Sequence, residues 1–69
     1  MKILAERLRL LREEKKLSQA EFAKIIGLST NGYQRYELDG REPTAPVLVE
    51  IAKYYHVSVD YLLGLSDKR

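Results

Sequence analysis

Gln19-Ala20-Glu21-Phe22-Ala23-Lys24-Ile25-Ile26-Gly27-Leu28-Ser29-Thr30-Asn31-Gly32-Tyr33-Gln34-Arg35-Tyr36-Glu37 is the stretch on which the fold turns. Ser18, just before it, and Glu21 have the spacing of a capping box, in which the hydroxyl accepts from the Glu21 amide and the carboxylate reaches back. A short helix through Phe22, Ala23 and Ile26 then stops at Gly27, which can adopt the left-handed conformation a helix end needs. Ser29 is the next N-cap candidate, after only a Gly27-Leu28 break. The following helix runs from Thr30 to about Glu37 or Leu38. Tyr33 and Tyr36, three apart, turn one of its faces inward. The opposite face carries Thr30, Asn31, Gln34 and Arg35, all hydrogen-bonding side chains. Two short helices thus meet steeply through a glycine turn, with the small Ala23 where their axes cross closely. The apolar back and polar front of the second suit a helix that reads base edges in a major groove while the first braces across the phosphates.

Working outward, the spacing of Leu4, Leu8 and Leu11 predicts a first helix from about Ile3 to Lys16, with Arg7, Arg9, Arg12 and Lys15 largely off that stripe. Asp39-Gly40-Arg41-Glu42-Pro43 reads as a loop. Thr44 caps a fourth helix with Pro46 in its first turn, where no intrahelical donor is needed. Val47, Leu48, Ile51, Ala52 and Tyr55 give this helix a broad apolar stripe. Ser58 caps a short fifth helix with Asp60 in its first turn, where the helix dipole favours a carboxylate. Tyr61, Leu62 and Leu63 pack and Gly64 ends it. No strand, repeat or linker is evident. The expected organisation is one all-α domain over residues 1–65 and a polar, frayed tail over 66–69.

Length and composition set the outer bounds. Sixty-nine residues leave room for one domain with a small core, since a chain this short buries only about 60% of its unfolded surface. Apolar residues make up 45% and charged residues 32%, ordinary for a globular domain rather than a disordered one. There is no cysteine, which removes disulfides, thiolate nucleophiles and cysteine-based zinc sites. A cytoplasmic address is expected for so small a chain without staples. No stretch approaches the roughly 18–20 apolar residues of a membrane span, and the charged start does not suit a signal peptide. The net charge is only +2, but residues 1–16 carry six Lys/Arg against three Glu, so the excess lies on the first helix. By itself that suits a solvated helix face.

Other constellations have plain explanations. His56, Ser58 and Asp60 alternate within five residues, which cannot place a nucleophile, base and acid in relay. A surface histidine, a cap and a dipole-favoured acid account for them. Glu13 and Glu14 point apart on a helix, and one histidine without cysteine offers no metal site. The tyrosines could stack single-stranded bases, but the helical spacing of Tyr33, Tyr36, Tyr55 and Tyr61 puts them in a core or interface. No enzyme activity, cofactor or small-molecule substrate is expected.

The chain resembles the lambda-repressor-like family of helix-turn-helix proteins, which includes phage repressors, Cro proteins and Xre-type regulators. The resemblance runs from about Leu4 to Leu65. It is carried by Arg7-Leu8-Arg9, Leu11-Arg12, Leu17-Ser18-Gln19, Phe22-Ala23, Gly27-Leu28-Ser29, Arg35-Tyr36-Glu37, Arg41-Glu42-Pro43-Thr44 and Val57-Ser58-Val59-Asp60-Tyr61-Leu62-Leu63-Gly64, in order and without a gap. It implies a five-helix, all-α DNA-binding domain whose second and third helices form the helix-turn-helix. It further implies a transcriptional regulator, a repressor of phage or Xre type, acting as a homodimer on a palindromic operator in double-stranded DNA in the bacterial cytoplasm.

The resemblance also assigns roles. Thr30, Asn31, Gln34 and Arg35 read bases; Arg35 can bond guanine O6 and N7, Asn31 can pair with adenine, and the Thr30 methyl can touch a thymine methyl. Gln19 bonds a phosphate, Arg41 lies along the phosphate backbone, and Arg12 and Glu37 form a structural ion pair. Tyr61, Leu62, Leu63 and Leu65 are the expected dimer contacts, with a place in the core as the competing reading for the leucines, Leu62 above all. Three departures stand out. Gly32 within the reading helix costs roughly 1 kcal/mol against alanine; the cost is either simply carried or allows close backbone approach to DNA. Tyr33 replaces the usual Ile or Val, so its hydroxyl needs water or a partner. Leu38-Asp39-Gly40 replaces Asn-Gly-Lys, which removes a lysine and weakens the expected hold on phosphate. The alternative is a protein-interaction module of the same fold, an antitoxin or regulatory partner with DNA binding secondary.

Overall fold

The computed structural model describes residues 1–69 and contains five helices: α1 (Lys2–Glu14), α2 (Gln19–Ile25), α3 (Thr30–Glu37), α4 (Ala45–Tyr55) and α5 (Val59–Leu63). There is no strand, and no helix is long and apolar enough to cross a membrane. Four of the five helices begin with a side-chain cap. The hydroxyls of Ser18, Ser29, Thr44 and Ser58 each accept from the backbone N–H three residues on, and Ser18 with Glu21 completes the capping box.

The helix ends are equally uniform. Lys16, Gly27, Asp39, His56 and Gly64 all have positive φ, between 56° and 82°. At each, two backbone bonds close the same motif. For α1 these run from the Lys16 N–H to the Glu13 carbonyl at 3.0 Å and from the Leu17 N–H to the Arg12 carbonyl at 3.2 Å. The equivalent bonds recur at Gly27 and Leu28, Asp39 and Gly40, His56 and Val57, and Gly64 and Leu65. These are Schellman ends, which satisfy carbonyls that a helix terminus otherwise leaves without partners. α1 therefore stops at Glu14, two residues short of the expected Lys16, because Lys16 itself takes the left-handed position.

The core is a layer of aromatic rings between the helices. Phe22 meets Tyr33 edge-on at 5.2 Å between centroids and stacks on Tyr55 at 4.9 Å. Leu4, Leu8 and Leu11 of α1, Ile51 of α4 and Leu62 of α5 fill the remainder. α3 packs on both α1 and α2, and α5 packs on α1 and α4. Gly64 suits that last contact for two reasons: its φ is +82°, and an added Cβ would lie 3.0 Å from the Ile3 side chain.

Residues 66–69, expected as a frayed tail, make defined contacts in the structure. Arg7 donates to the carbonyls of Tyr61 and Ser66 and pairs with Asp67 at 2.9 Å. Arg69 forms a two-pronged pair with Glu14, and its backbone oxygen accepts from the Ser58 N–H at 2.9 Å. The guanidiniums of Arg7 and Arg69 lie 4.2 and 5.5 Å from the Tyr61 ring centroid. Cation–π contact and carbonyl bonding, both invisible to a compositional criterion, turn the tail back over α1.

Candidate nucleic-acid interface

Thr30, Asn31, Gln34 and Arg35 are all exposed on the front of α3. None is used within the chain: the side-chain hydrogen bonds of this segment belong to Ser29, Tyr33 and Glu37. Four polar side chains, free of internal partners, thus share one helix surface. Their backing is rigid. Tyr33 is fully buried and Tyr36 is 7% exposed.

Behind α3 lies a polar junction centred on Glu37, whose side chain is only 3% exposed. Arg12 of α1 grips its carboxylate with two bonds, Nε to Oε2 at 2.7 Å and a terminal nitrogen to Oε1 at 3.0 Å. The other terminal nitrogen of Arg12 donates to the Leu17 carbonyl at 2.8 Å, fastening the α1–α2 turn as well. Gln19 Nε2 donates to Glu37 Oε1 at 3.2 Å, and the Tyr33 hydroxyl donates to Oε2. Burial pushes the Glu37 carboxyl up, but the Arg12, Tyr33 and Gln19 donors together pull it below its ordinary value. Burial, aided by the bond to Glu37, drives the Tyr33 hydroxyl well up, so it remains a donor. Three helices are thereby locked in relative position behind the polar front.

Gln19 heads α2, and the amide expected to meet a phosphate is turned towards Glu37. A glutamine amide nitrogen carries two hydrogens, and this bond uses one. Arg41 is exposed in the 39–43 loop. The acids of the same loop face the Met1 ammonium, which pairs with Asp39 at 2.5 Å and Glu42 at 3.1 Å.

Gly32 sits over the Ser29 cap oxygen, which an added Cβ would approach to 3.0 Å. Residues that carry a Cβ take the corresponding position elsewhere: Glu21 and Tyr61 donate their backbone N–H groups to the Ser18 and Ser58 hydroxyls at 3.0 Å.

The expected dimer contacts divide. Leu62 is fully buried and Tyr61 is 6% exposed, so both sit in the core; Leu63 is half-buried and Leu65 exposed. The apolar surface of Tyr61 and Leu62 is spent within the core. Apolar surface is instead open in a shallow groove of about 580 Å³ where α4 meets α5, lined by Val49, Ala52, Lys53, His56, Val57 and Val59. Val49 was the available signal, as an apolar residue lying off the core stripe of its helix.

The geometry has close counterparts. The helix-turn-helix family model matches residues 8–62. The uncharacterised HTH-type transcriptional regulator YobD of Bacillus subtilis is 44% identical over 62 residues, covering 90% of this chain and 55% of YobD. Repressor protein C2 of Salmonella phage P22 is 33% identical over 61 residues, covering 88% of this chain and 28% of the repressor. The solution structure of the P22 C2 repressor DNA-binding domain superposes with a TM-score of 0.80 at 32% identity, covering 96% of this chain and 90% of that domain. The chain spans about half the length of the curated relatives it matches, from 50% to 59% for three from Bacillus subtilis. With the family model covering most of the sequence and the five-helix architecture shared, the chain belongs to the helix-turn-helix family.

Proposed function

We propose that this chain binds double-stranded DNA sequence-specifically and acts as a repressor-type transcriptional regulator, as a two-fold dimer on a palindromic operator. The observation that carries this is the front of α3. Thr30, Asn31, Gln34 and Arg35 stand exposed and unengaged on a helix fixed from behind by the Glu37 junction. Side chains that read bases must be free, while the helix carrying them must be held. Arg35 suits guanine, Asn31 adenine, and Thr30 and Gln34 complete the reading surface. The remaining Gln19 amide hydrogen and the Arg41 guanidinium suit phosphates on either side. Occupation of the operator would block polymerase sterically.

Dimerisation is assigned to the α4–α5 groove, where Val49 and Val59 offer apolar surface that the core does not use. Of the C-terminal residues, half-buried Leu63 and exposed Leu65 keep apolar surface that could add to it. A two-fold pair would read half-sites about one helical turn, ~34 Å, apart.

Selection of bound duplexes from a random-sequence library tests this reading. Enrichment of a palindrome with that half-site spacing is expected. A folded protein that enriches no sequence would overturn it in favour of a domain that binds protein.

A further inference from the structure

Leu38 keeps 70% of its surface exposed, although it directly follows the last residue of α3. Its φ of −86° and ψ of 1°, with its N–H bonded to the Gln34 carbonyl at 3.0 Å, carry the helical turn through it. The left-handed residue is the next one, Asp39. Leu38 therefore lies seven residues beyond Asn31 and four beyond Gln34, on the same face of the helix. The polar front of α3 ends in a leucine. From Asn31 to Leu38 is a rise of about 10 Å, comparable with a major groove ~12 Å wide.

Leu38 cannot turn inward, because the inward face of α3 is occupied by Tyr33 and Tyr36. Nor does α3 supply what an apolar protein partner requires. Such docking uses a contiguous patch of several hundred Å², whereas Leu38 follows a front of hydrogen-bonding side chains. It also borders a cleft of about 280 Å³ whose walls carry both signs of charge, Lys2 and Arg9 against Glu6, Glu37 and Asp39. An apolar side chain that closes a row of hydrogen-bonding readers matches a small apolar group on a base edge. In the major groove that group is the C5-methyl of thymine.

We propose that Leu38 is a fifth specificity-determining residue, contacting the methyl of a thymine at the rim of the major groove. The proposal rests on the DNA-binding function proposed above and adds a base to what the four polar residues read. A leucine at this position neither donates nor accepts, so it holds no phosphate. It favours thymine through removal of two apolar groups from water.

The experiment uses the full chain and the duplex enriched by library selection, with each thymine replaced in turn by deoxyuridine, which lacks only the methyl. One thymine per half-site is expected to respond with a three- to five-fold weaker affinity, the scale of one buried methyl. That response should persist in Thr30→Ala, which removes the other methyl-bearing reader, and vanish in Leu38→Ala. Leu38→Asn should behave like Leu38→Ala, with thermal unfolding showing both variants folded. The proposal is overturned if every deoxyuridine effect survives in Leu38→Ala, or if Leu38→Ala weakens thymine and deoxyuridine duplexes equally. Failure of the library to enrich any sequence for the wild-type chain is a separate result, which removes the DNA-binding function and this proposal with it.

Discussion

Four hydrogen bonds converge on the two oxygens of Glu37, and two nearby tyrosines show what such a partner is worth. Tyr33 donates to the carboxylate, whereas the Tyr55 hydroxyl is buried with no partner. The same substitution should act oppositely at the two sites. Tyr33→Phe removes a bond to a charged group and should cost about 2 kcal/mol. Tyr55→Phe relieves an unsatisfied hydroxyl and should be neutral or stabilising by up to ~1 kcal/mol; urea unfolding of the two variants measures both. Glu37 also sets a pH dependence. Its carboxyl is held below the ordinary value, so its stabilisation is present above the unfolded-state range near ~4.3 and lost as pH falls through the folded value. Stability should be flat from about pH 7 to 5 and then decline. Glu21 and Glu14 are lowered too, by the Ser18 and Arg69 bonds respectively, and add to the same acid limb. Glu37→Gln should therefore lower stability at neutral pH and make the acid limb shallower, as followed by thermal unfolding across that range. An unchanged slope would mean that Glu37 does not govern the acid transition.

At the scale of elements, the five helices share a uniform grammar of caps and stops, only part of which is legible in the sequence. Ser18, Ser29, Thr44 and Ser58 announce the helix starts because a hydroxyl before an apolar run has a local task, accepting from the N–H three residues on. Gly27 and Gly64 announce two stops. Lys16 does not, since nothing in its side chain favours positive φ; Asp39 and His56 are of types enriched there but too weakly to mark a stop, and the Schellman bonds and packing impose it. Gly32 was legible as a cost, but the cause that suggests itself, backbone approach to DNA, competes with the crowding at Ser29 Oγ. Ser18 and Ser58 hold Glu21 and Tyr61 with the same 3.0 Å cap bond, so a Cβ fits beside such an oxygen after a small shift. Gly32→Ala should therefore stabilise the chain by up to about 1 kcal/mol, a rise of roughly 4–8 °C in Tm for a domain of this size. A lower Tm would show that the Ser29 cap cannot give way. The polar front of α3 was readable because Tyr33 and Tyr36 mark its back. The groove between α4 and α5 was not, since it depends on which apolar residues the core leaves over: Leu62 went inside and Val49 stayed out.

At the scale of the whole molecule, a body of 28 × 23 × 20 Å turns part of its positive charge inward. The six basic residues of the first segment promise a cationic surface, yet Arg7 is turned to the tail, Arg12 to Glu37, and Lys15 lies over the Tyr54 ring. The salt dependence of affinity counts the phosphates that the remaining cations neutralise, because each adds about 0.9 to the slope of log K against log salt. This separates the two residues assigned to the backbone. Arg41→Ala should lower affinity and reduce the slope by about 0.9 per protomer, since it removes a cation that displaces counterions. Gln19→Ala should lower affinity with the slope unchanged, because a neutral amide displaces none. It should also loosen the Glu37 junction slightly, having removed the 3.2 Å bond, so binding must be measured well below the unfolding range. Arg35→Ala gives the contrasting outcome, a loss of ~1–3 kcal/mol on the selected duplex with relaxed preference at one base pair. Titrations at three salt concentrations, on the selected duplex and a scrambled one, resolve all three variants. Equal slope changes for Gln19→Ala and Arg41→Ala would show that Gln19 acts by displacing the whole domain on the backbone, making the Glu37 junction the true determinant of docking.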